Sequence, residues 1–269
     1  MRALVVAVWL LSSSVVVAKG KTVDIDIKQG AVDDFMRVLG DTGKVNVVVL
    51  EGGDTKVDVL AKNVPWDKVL ADTVAKANLA FVREGNVVIV GSQAAIDARK
   101  ATKKAKASGP MIQLDLVGAS PKDAALLIAV ATGTAFDLDG GDAVSLRLRQ
   151  VKASVAKDIV GLVSKATVAA SPAKRAIGRA KGACVAPKLP ANDLQLVGIA
   201  GIGTKRWAMF GTMTSAETFV VTQADCLGLE RRKVKAISPT WLVVLNEADG
   251  RVEEFQYQLY PAQLPIGTP

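Results

Sequence analysis

The stretch KNVPWDKVL, residues 62–70, joins an extended strand directly to a helix. Residues 56–62 alternate apolar and polar side chains, as a half-buried strand does. Side chains at the spacing of one helix face then follow, at Val69, Leu70, Thr73, Val74 and Ala77. Pro65 suits the first turn of a helix because its φ is fixed and its missing N–H has no partner there, and Asp67 favours the positive end of the helix dipole. We therefore predict a strand-to-helix corner, in which Trp66 covers the helix start and has no catalytic role.

The elements around this corner occur twice along the chain. Residues 22–92 read as strand, helix, two strands, helix and a closing hairpin, and residues 110–169 give the same order in shorter form. Each block carries an acidic-Gly-Gly-Asp turn between its two inner strands, at residues 51–54 and 139–142. The sequence therefore predicts two small βαββα-type modules in tandem, the second a degenerate copy of the first.

The third block, residues 193–262, changes to short strands separated by turns. Several short strands without helices are typical of a small β-sandwich or barrel. The glycine-rich run GIAGIGTK at residues 198–205 is followed by a strand, whereas a phosphate-cradling loop needs a following helix. We therefore expect an α+β protein, with two mixed modules and an all-β domain, and no nucleotide cofactor.

The net charge of +8 is concentrated in two stretches, residues 93–109 and 170–192. Both are rich in Ala, Lys and Arg, with Ser, Gly or Pro near their edges, which is typical of linkers. Partial helicity is expected in the first stretch, because Ala and Lys favour helix. The simplest interpretation is a pair of solvated basic connectors. The alternative is contact with an anionic surface such as peptidoglycan or phospholipid headgroups. Nucleic acid is not expected as a partner, because aromatic residues are not interleaved with the cations.

The first 18 residues have the pattern of a secretory signal peptide. Arg2 precedes an apolar run that closes on the small side chains Val16 and Ala18, which predicts cleavage after Ala18. The alternative is an uncleaved anchor, but the run is shorter than the roughly 20 residues that span a bilayer. We therefore expect an exported mature chain. An exported chain with two cysteines, Cys184 and Cys226, favours one disulfide over two unpaired thiols.

Composition also limits the chemistry. The chain has no histidine, which excludes Ser-His-Asp and Cys-His catalytic arrangements and removes the commonest zinc ligand. Carboxylate pairs such as Asp24 and Asp26 alternate outward on a predicted strand and are interpreted as solvated. We therefore predict no catalytic residue, no metal site and no cofactor.

The first block resembles the short N-terminal domain of secretins and TonB-dependent receptors. The resemblance rests on the helix ending in Thr42-Gly43, the Val64-Pro65 corner and the closing hairpin REGNV at residues 83–87. It implies a βαββα-type module that binds protein partners in the periplasm and has no catalytic residues. Residues 110–169 resemble a degenerate copy of that domain.

The third block resembles the homology-region domain of PilP-type pilus assembly proteins and of their type II secretion counterparts. The motifs that carry this resemblance are LQLVGI (194–199), RWAMF (206–210), TFVV (218–221) and VKAISPTWLVVL (234–245). The resemblance implies a small β-sandwich that docks on the N-terminal domain of a secretin. Cys226 is not part of that pattern, and the lipid-modified cysteine or membrane helix of those proteins is not expected here.

Together, the two resemblances imply a non-enzymatic periplasmic adaptor of type IV pilus assembly. Its expected partners are an outer-membrane secretin and inner-membrane pilus or secretion proteins, with which it could form an oligomeric ring. The alternatives are a type II secretion component and a signalling or transport adaptor of the TonB-receptor type. We predict that partner binding uses an exposed edge strand, formed by Leu196, Val197, Gly198, Ile199 and Ala200. Within one chain, the two kinds of module could also dock on each other.

Overall fold

A computed structural model of the protein describes residues 21–101, 107–168, 184–212, 217–248 and 251–259. The α+β class predicted from the sequence is confirmed, because helices and antiparallel-rich sheets both occur in the described parts. The predicted signal peptide, residues 1–18, and its cleavage site after Ala18 lie outside the described residues. Among the described residues, no helix combines the length and the apolar character needed to cross a bilayer.

Module one, residues 22–101, consists of β1 (Thr22–Ala31), α1 (Val32–Gly43), β2 (Asn46–Val49), β3 (Lys56–Pro65), α2 (Trp66–Lys76), β4 (Ala80–Glu84), β5 (Val87–Gly91) and α3 (Gln93–Ala101). Strands β1 and β3 form an antiparallel ribbon, and a separate sheet has the order β2-β5-β4, with β2 and β5 parallel. The buried faces of α1 and α2 fill the space between them, led by Phe35, Met36 and Leu70. Module one therefore has an apolar core of its own.

The corner at residues 62–70 forms one residue later than predicted. Pro65 is the last residue of β3, and α2 begins at Trp66, whose side chain is buried. Gly43 ends α1 as predicted, but the left-handed position belongs to Lys44, with φ of 53°. Gly43 serves a different purpose, since a Cβ there would lie 2.7 Å from the ring of Trp66. The corner thus fixes the packing of α2 against the end of α1.

The prediction that residues 93–109 form a solvated connector is wrong for the first half of this stretch. Helix α3 occupies Gln93–Ala101, with Ile96 fully buried in the core and Arg99 only 7% exposed. The reason is local. Ile96 supplies an apolar anchor, and Arg99 on the same helix face forms ion pairs with the carboxylates of Glu84 and Asp158.

The basic residues at 102–106 and 169–183 lie outside the described residues. The described end of the second predicted linker, residues 184–192, is wrong as a solvated connector, because it belongs to the sandwich and buries Val185 and Ala191.

Module two, residues 110–168, consists of β6 (Met111–Ala119), α4 (Pro121–Thr132), β7 (Leu138–Asp139), β8 (Val144–Lys152), α5 (Ala153–Ser164) and β9 (Thr167–Val168). The order from β6 to α5 is the same as the order from β1 to α2. Helix α4 begins with Pro121 in its first turn, and the Ser120 hydroxyl accepts a hydrogen bond from the Asp123 N–H at 3.1 Å. Strands β6 and β8 pair antiparallel, with Leu114 opposite Leu148.

The sandwich, residues 184–259, consists of β10 (Cys184–Val185), a 3₁₀ turn (Ala191–Asp193), β11 (Leu194–Ile202), β12 (Lys205–Thr212), β13 (Thr218–Val221), β14 (Cys226–Leu227), β15 (Arg232–Ile237), β16 (Trp241–Ala248) and β17 (Arg251–Gln258). One sheet has the order β10-β14-β15-β16-β17, and it faces a second sheet that contains β13-β12-β11. The core between them includes Phe210, Leu242 and Val244, and the Phe210 ring meets the Tyr257 ring edge-on at 5.0 Å. A disulfide joins Cys184 to Cys226 across β10 and β14.

Candidate functional site

Strand β11, on which the sequence placed the partner-binding residues, lies in the middle of a sheet. The sheet has the order β13-β12-β11-β6-β8, so β11 pairs with β12 on one side and with β6 of module two on the other. Residues 198–201 pair antiparallel with residues 113–116. The predicted open edge is therefore wrong. A sequence pattern can identify a strand, but it does not reveal which distant strand pairs with its second edge.

None of the five predicted residues is exposed. Leu196 and Ile199 face the core of the sandwich, Ala200 faces the core shared with module two, and Val197 is half-buried. Gly198 is buried where the two domains are closest. A Cβ there would lie 2.9 Å from Leu116 Cδ2 and 3.1 Å from Leu127 Cδ2. Glycine at this position thus lets module two approach the sandwich closely.

Module two and the sandwich are consequently joined by a shared five-stranded sheet. Strands β6 and β8 extend the sandwich sheet. Helix α4 packs on one face of this extended sheet, across β6, β11 and β12. The apolar core under α4 includes Leu116 and Leu127 of module two together with Met209 and Val220 of the sandwich. Strand pairing between a βαββα-type module and a β-sandwich therefore occurs within this chain.

Module one is fastened to module two through a buried arginine. The Arg99 Nε donates to Glu84 Oε1 at 2.9 Å, and its Nη2 donates to Glu84 Oε2 at 2.7 Å and to Asp158 Oδ2 at 2.5 Å. The hydrogen bonds to Glu84 raise the pKa of Arg99 above its ordinary value, against burial, which lowers it. The guanidinium therefore stays charged and links α3 and β4 to α5 of module two.

A cleft of about 770 Å³ lies where module one, module two and the sandwich meet. Its walls come from α1 and β2 of module one, from β8 of module two, and from residues at the ends of β16 and β17. The charged and aromatic side chains around it include Asp33, Asp34, Arg37, Arg147, Arg149 and Trp241. It combines strand edges, charges of both signs and an aromatic ring.

Behind the cleft, a carboxylate is buried between strands of the shared sheet. Asp115 on β6 is 1% exposed, and it accepts hydrogen bonds from Arg147 Nε at 2.7 Å and from Gln113 Nε2 at 3.0 Å. Burial raises the pKa of Asp115, and the hydrogen bond from Gln113 and the charge of Arg147 offset part of that rise. Because the guanidinium of Arg147 compensates the negative charge of Asp115, we interpret Asp115 as part of an ion pair that holds β6 and β8 together.

The candidate carboxylates Asp24 and Asp26 are both exposed on β1. Asp24 Oδ1 accepts a hydrogen bond from the Asn63 backbone N–H at 2.6 Å, which ties β1 to β3. Among the described residues, no three side chains of Asp, Glu, His or Cys come together in a set that could hold a metal ion. The described part of the chain thus offers strand edges and a cleft as its candidate functional features.

The chain matches no family model and no curated protein. Two solved structures from Pseudomonas aeruginosa match parts of it. A domain from the type IV pilus biogenesis lipoprotein PilP is 18% identical, with a TM-score of 0.26, and the match covers 30% of this chain and 98% of that one. The solution structure of PilP is 15% identical, also with a TM-score of 0.26, and the match covers 38% of this chain and 89% of that one.

Proposed function

We propose that this protein is a non-enzymatic periplasmic adaptor of a secretin-based machine, in type IV pilus assembly, and that it docks on the periplasmic domains of an outer-membrane secretin. The observation that supports the proposal is the sheet shared by module two and the sandwich, in which a βαββα-type module is held by strand pairing. A secretin N-terminal module of the same type would offer the same kind of ribbon to a free sandwich edge.

Strand β17 is the sandwich edge that fits this role. It is eight residues long and outermost in its sheet, and no described strand pairs with its outer edge. Residues 251–254 are all exposed, and Val252 is 63% exposed. The other outer strands of the sandwich are shorter, since β10 has two residues and β13, in the sheet shared with module two, has four. Because β6 already occupies the second edge of β11, docking through β17 leaves the fold of this chain unchanged.

The experiment is a binding measurement between the purified mature chain and the purified periplasmic domains of the secretin from the same organism. We expect Val252→Lys to weaken binding about tenfold, which corresponds to about 1.4 kcal/mol. Val168→Lys is the matched control, since Val168 is an exposed valine on module two at 71% exposure. Absence of binding by the unaltered chain would overturn the proposal. Equal losses in both variants would remove β17 from it.

A deletion strain separates the alternative functions. Loss of surface pili and of pilus-dependent motility is expected from the proposal. Loss of secreted enzymes with intact pili would instead assign the chain to type II secretion. Loss of receptor-dependent gene induction, with both other properties intact, would favour an adaptor of the TonB-receptor type.

A further inference from the structure

The cleft between the three parts of the molecule is bordered by two strand edges that do not belong to the same sheet. Strand β2 is outermost in the sheet of module one, and β8 is the outermost described strand of the shared sheet. Asn46 of β2 bridges them, because its Nδ2 donates to the Arg149 carbonyl at 2.9 Å and its Oδ1 accepts from the Arg149 N–H at 2.6 Å. The amide of one side chain thus makes the two hydrogen bonds that a neighbouring strand would make.

Next to this bridge, the backbone of β2 faces the cleft. Asn46 N–H donates to the Asn86 carbonyl and Leu50 N–H to the Val90 carbonyl, so the even-numbered residues of β2 pair with β5. In a parallel ladder the alternate residues point the other way. The N–H and C=O of Val47, which lines the cleft, therefore point away from β5, and no described residue hydrogen-bonds them from the cleft side.

In the wall formed by α1, the carboxylate of Asp33 forms no salt bridge with a described residue. Asp34 pairs with Arg37 at 3.5 Å, and Asp41 pairs with Arg149 at 3.2 Å. Asp33 lies in the same wall, and no described cation is within ion-pair distance of it. Partial desolvation, and then the charge of Asp34, raise the pKa of Asp33, and the charge of Arg37 offsets part of that rise. The Asp33 residue remains exposed to solvent. Because Arg37 forms its ion pair with Asp34, the accessible carboxylate of Asp33 can form a salt bridge with a positive charge brought by a ligand.

We propose that this cleft binds an extended segment of a partner protein that carries a lysine or an arginine. The segment pairs with the outer edge of β2 at Val47 and places its cation beside Asp33. Trp241, half-buried on the opposite wall, offers a ring face for a neighbouring side chain of the segment. The cleft meets β17 only at its last residue, Gln258, whereas the proposed docking uses residues 251–254 at the other end of that strand. The site requires neither a secretin nor a pilus.

The test is a nuclear magnetic resonance titration of the ¹⁵N-labelled mature chain with two peptides of equal length, TKVKVT and TEVEVT, both blocked at their termini. We expect TKVKVT to shift to saturation the amides of Val47 and of Ser145, a residue of β8 that also lines the cleft, and TEVEVT to leave them unmoved. Asp33→Asn should weaken the binding of TKVKVT about fivefold, as for loss of one exposed ion pair. Asp72→Asn, on the exposed face of α2, is the matched control and should bind like the unaltered chain.

A second variant tests the backbone contact. Val47→Pro removes an N–H that takes no part in the pairing with β5, and proline is tolerated on an outer strand edge. This variant should remain folded by circular dichroism and lose the binding of TKVKVT. If it does not fold, the comparison of Asp33→Asn with Asp72→Asn decides the question.

Several outcomes overturn the proposal. They are equal binding of both peptides, no saturable shift with TKVKVT, shifts confined to other surfaces, and equal behaviour of the two aspartate variants. Concentration-dependent shifts of the same amides without peptide would assign the cleft to a second copy of this chain, and would equally contradict it. None of these results bears on docking through β17, so this proposal and the proposed function can fail independently.

Discussion

The two copies of the repeated unit bury their first strand in different ways. In module one, β1 turns one face toward helices α1 and α2 and leaves Asp24 and Asp26 in solvent. In module two, β6 is buried on both faces over residues 114–116. The β1–β3 ribbon therefore covers only the core of module one. The equivalent β6–β8 ribbon of module two extends the sheet of the sandwich. What differs is the burial of the residues that lie between the apolar ones.

One position illustrates this difference. The triplets Ile25-Asp26-Ile27 and Leu114-Asp115-Leu116 occupy the same place in the two units. Asp26 is exposed, whereas Asp115 is 1% exposed and bound to Arg147. A buried carboxylate is tolerated only with a partner, and module two supplies one from the adjacent strand. An identical residue type thus serves as a solvated group in one copy and as a buried ion pair in the other.

The largest effect is expected from shortening the apolar residue next to this aspartate in each copy. Leu116→Ala removes a fully buried side chain between β6 and the helices and should lower the free energy of unfolding by about 2–5 kcal/mol. Ile27→Ala, at the equivalent half-buried position of β1, should cost about 1 kcal/mol. Chemical denaturation measures both. Equal losses would mean that the two first strands are equally buried, contrary to the comparison.

The aspartates themselves give the second test. Asp115→Ala leaves Arg147 and Gln113 without their shared acceptor and should cost about 2–3 kcal/mol, less than for a fully buried pair because Arg147 is partly exposed. Asp26→Ala should change the free energy of unfolding by less than about 0.5 kcal/mol. Urea titrations of the two variants provide the values. A near-neutral Asp115→Ala would show that the ion pair makes no net contribution.

The joint between the two copies gives the third test. Arg99→Met leaves Glu84 and Asp158 without the guanidinium and should cost about 2 kcal/mol. Hydrogen exchange should then accelerate along α3. Lys100→Met on the same helix is the control, because Lys100 pairs with Asp97 at 3.6 Å on the exposed face and with no other carboxylate among the described residues. If both variants behave alike, Arg99 does not hold the modules together.

The local elements could be predicted from the sequence because their signals are local. The corner at residues 62–70 combines strand alternation, a proline and helical spacing within a few residues. The change from helices to short strands after residue 193 is equally visible. Helical structure within residues 93–101 could be expected, because Ala and Lys favour helix. The packing of α3 was not expected because its cations resemble a linker, although Ile96 and Arg99, three residues apart, mark one face of a helix. The available signal for a packed helix was Ile96, a single large apolar residue in a stretch rich in cations.

The contacts between the parts could not be predicted, because they join residues far apart in the chain. Gly198 carries no sign that Leu116 of another module packs on it. The Asn86 side chain donates to the carbonyl of Gln150 at 2.9 Å, and an isolated asparagine before a strand gives no hint of such a bond. Strand alternation fixes which face is apolar but not which edge meets which. The docked arrangement is therefore a property of the folded structure.

The smallest expected effect is a dependence of stability on pH that arises at Asp115. Burial raises its pKa, so the native chain holds the proton more readily than the unfolded chain does. Its contribution to stability is therefore present below about pH 4, the ordinary value for aspartate, and is lost as the pH rises through the raised native pKa. Asp115→Asn keeps an oxygen that can accept from Arg147 but does not titrate. The free energy of unfolding of this variant, relative to the unaltered chain, should consequently rise across that window and level off above it. A difference that stays constant with pH would show that Arg147 and Gln113 cancel the cost of burying the charge, and Asp115 would then be no more sensitive to pH than a solvated carboxylate.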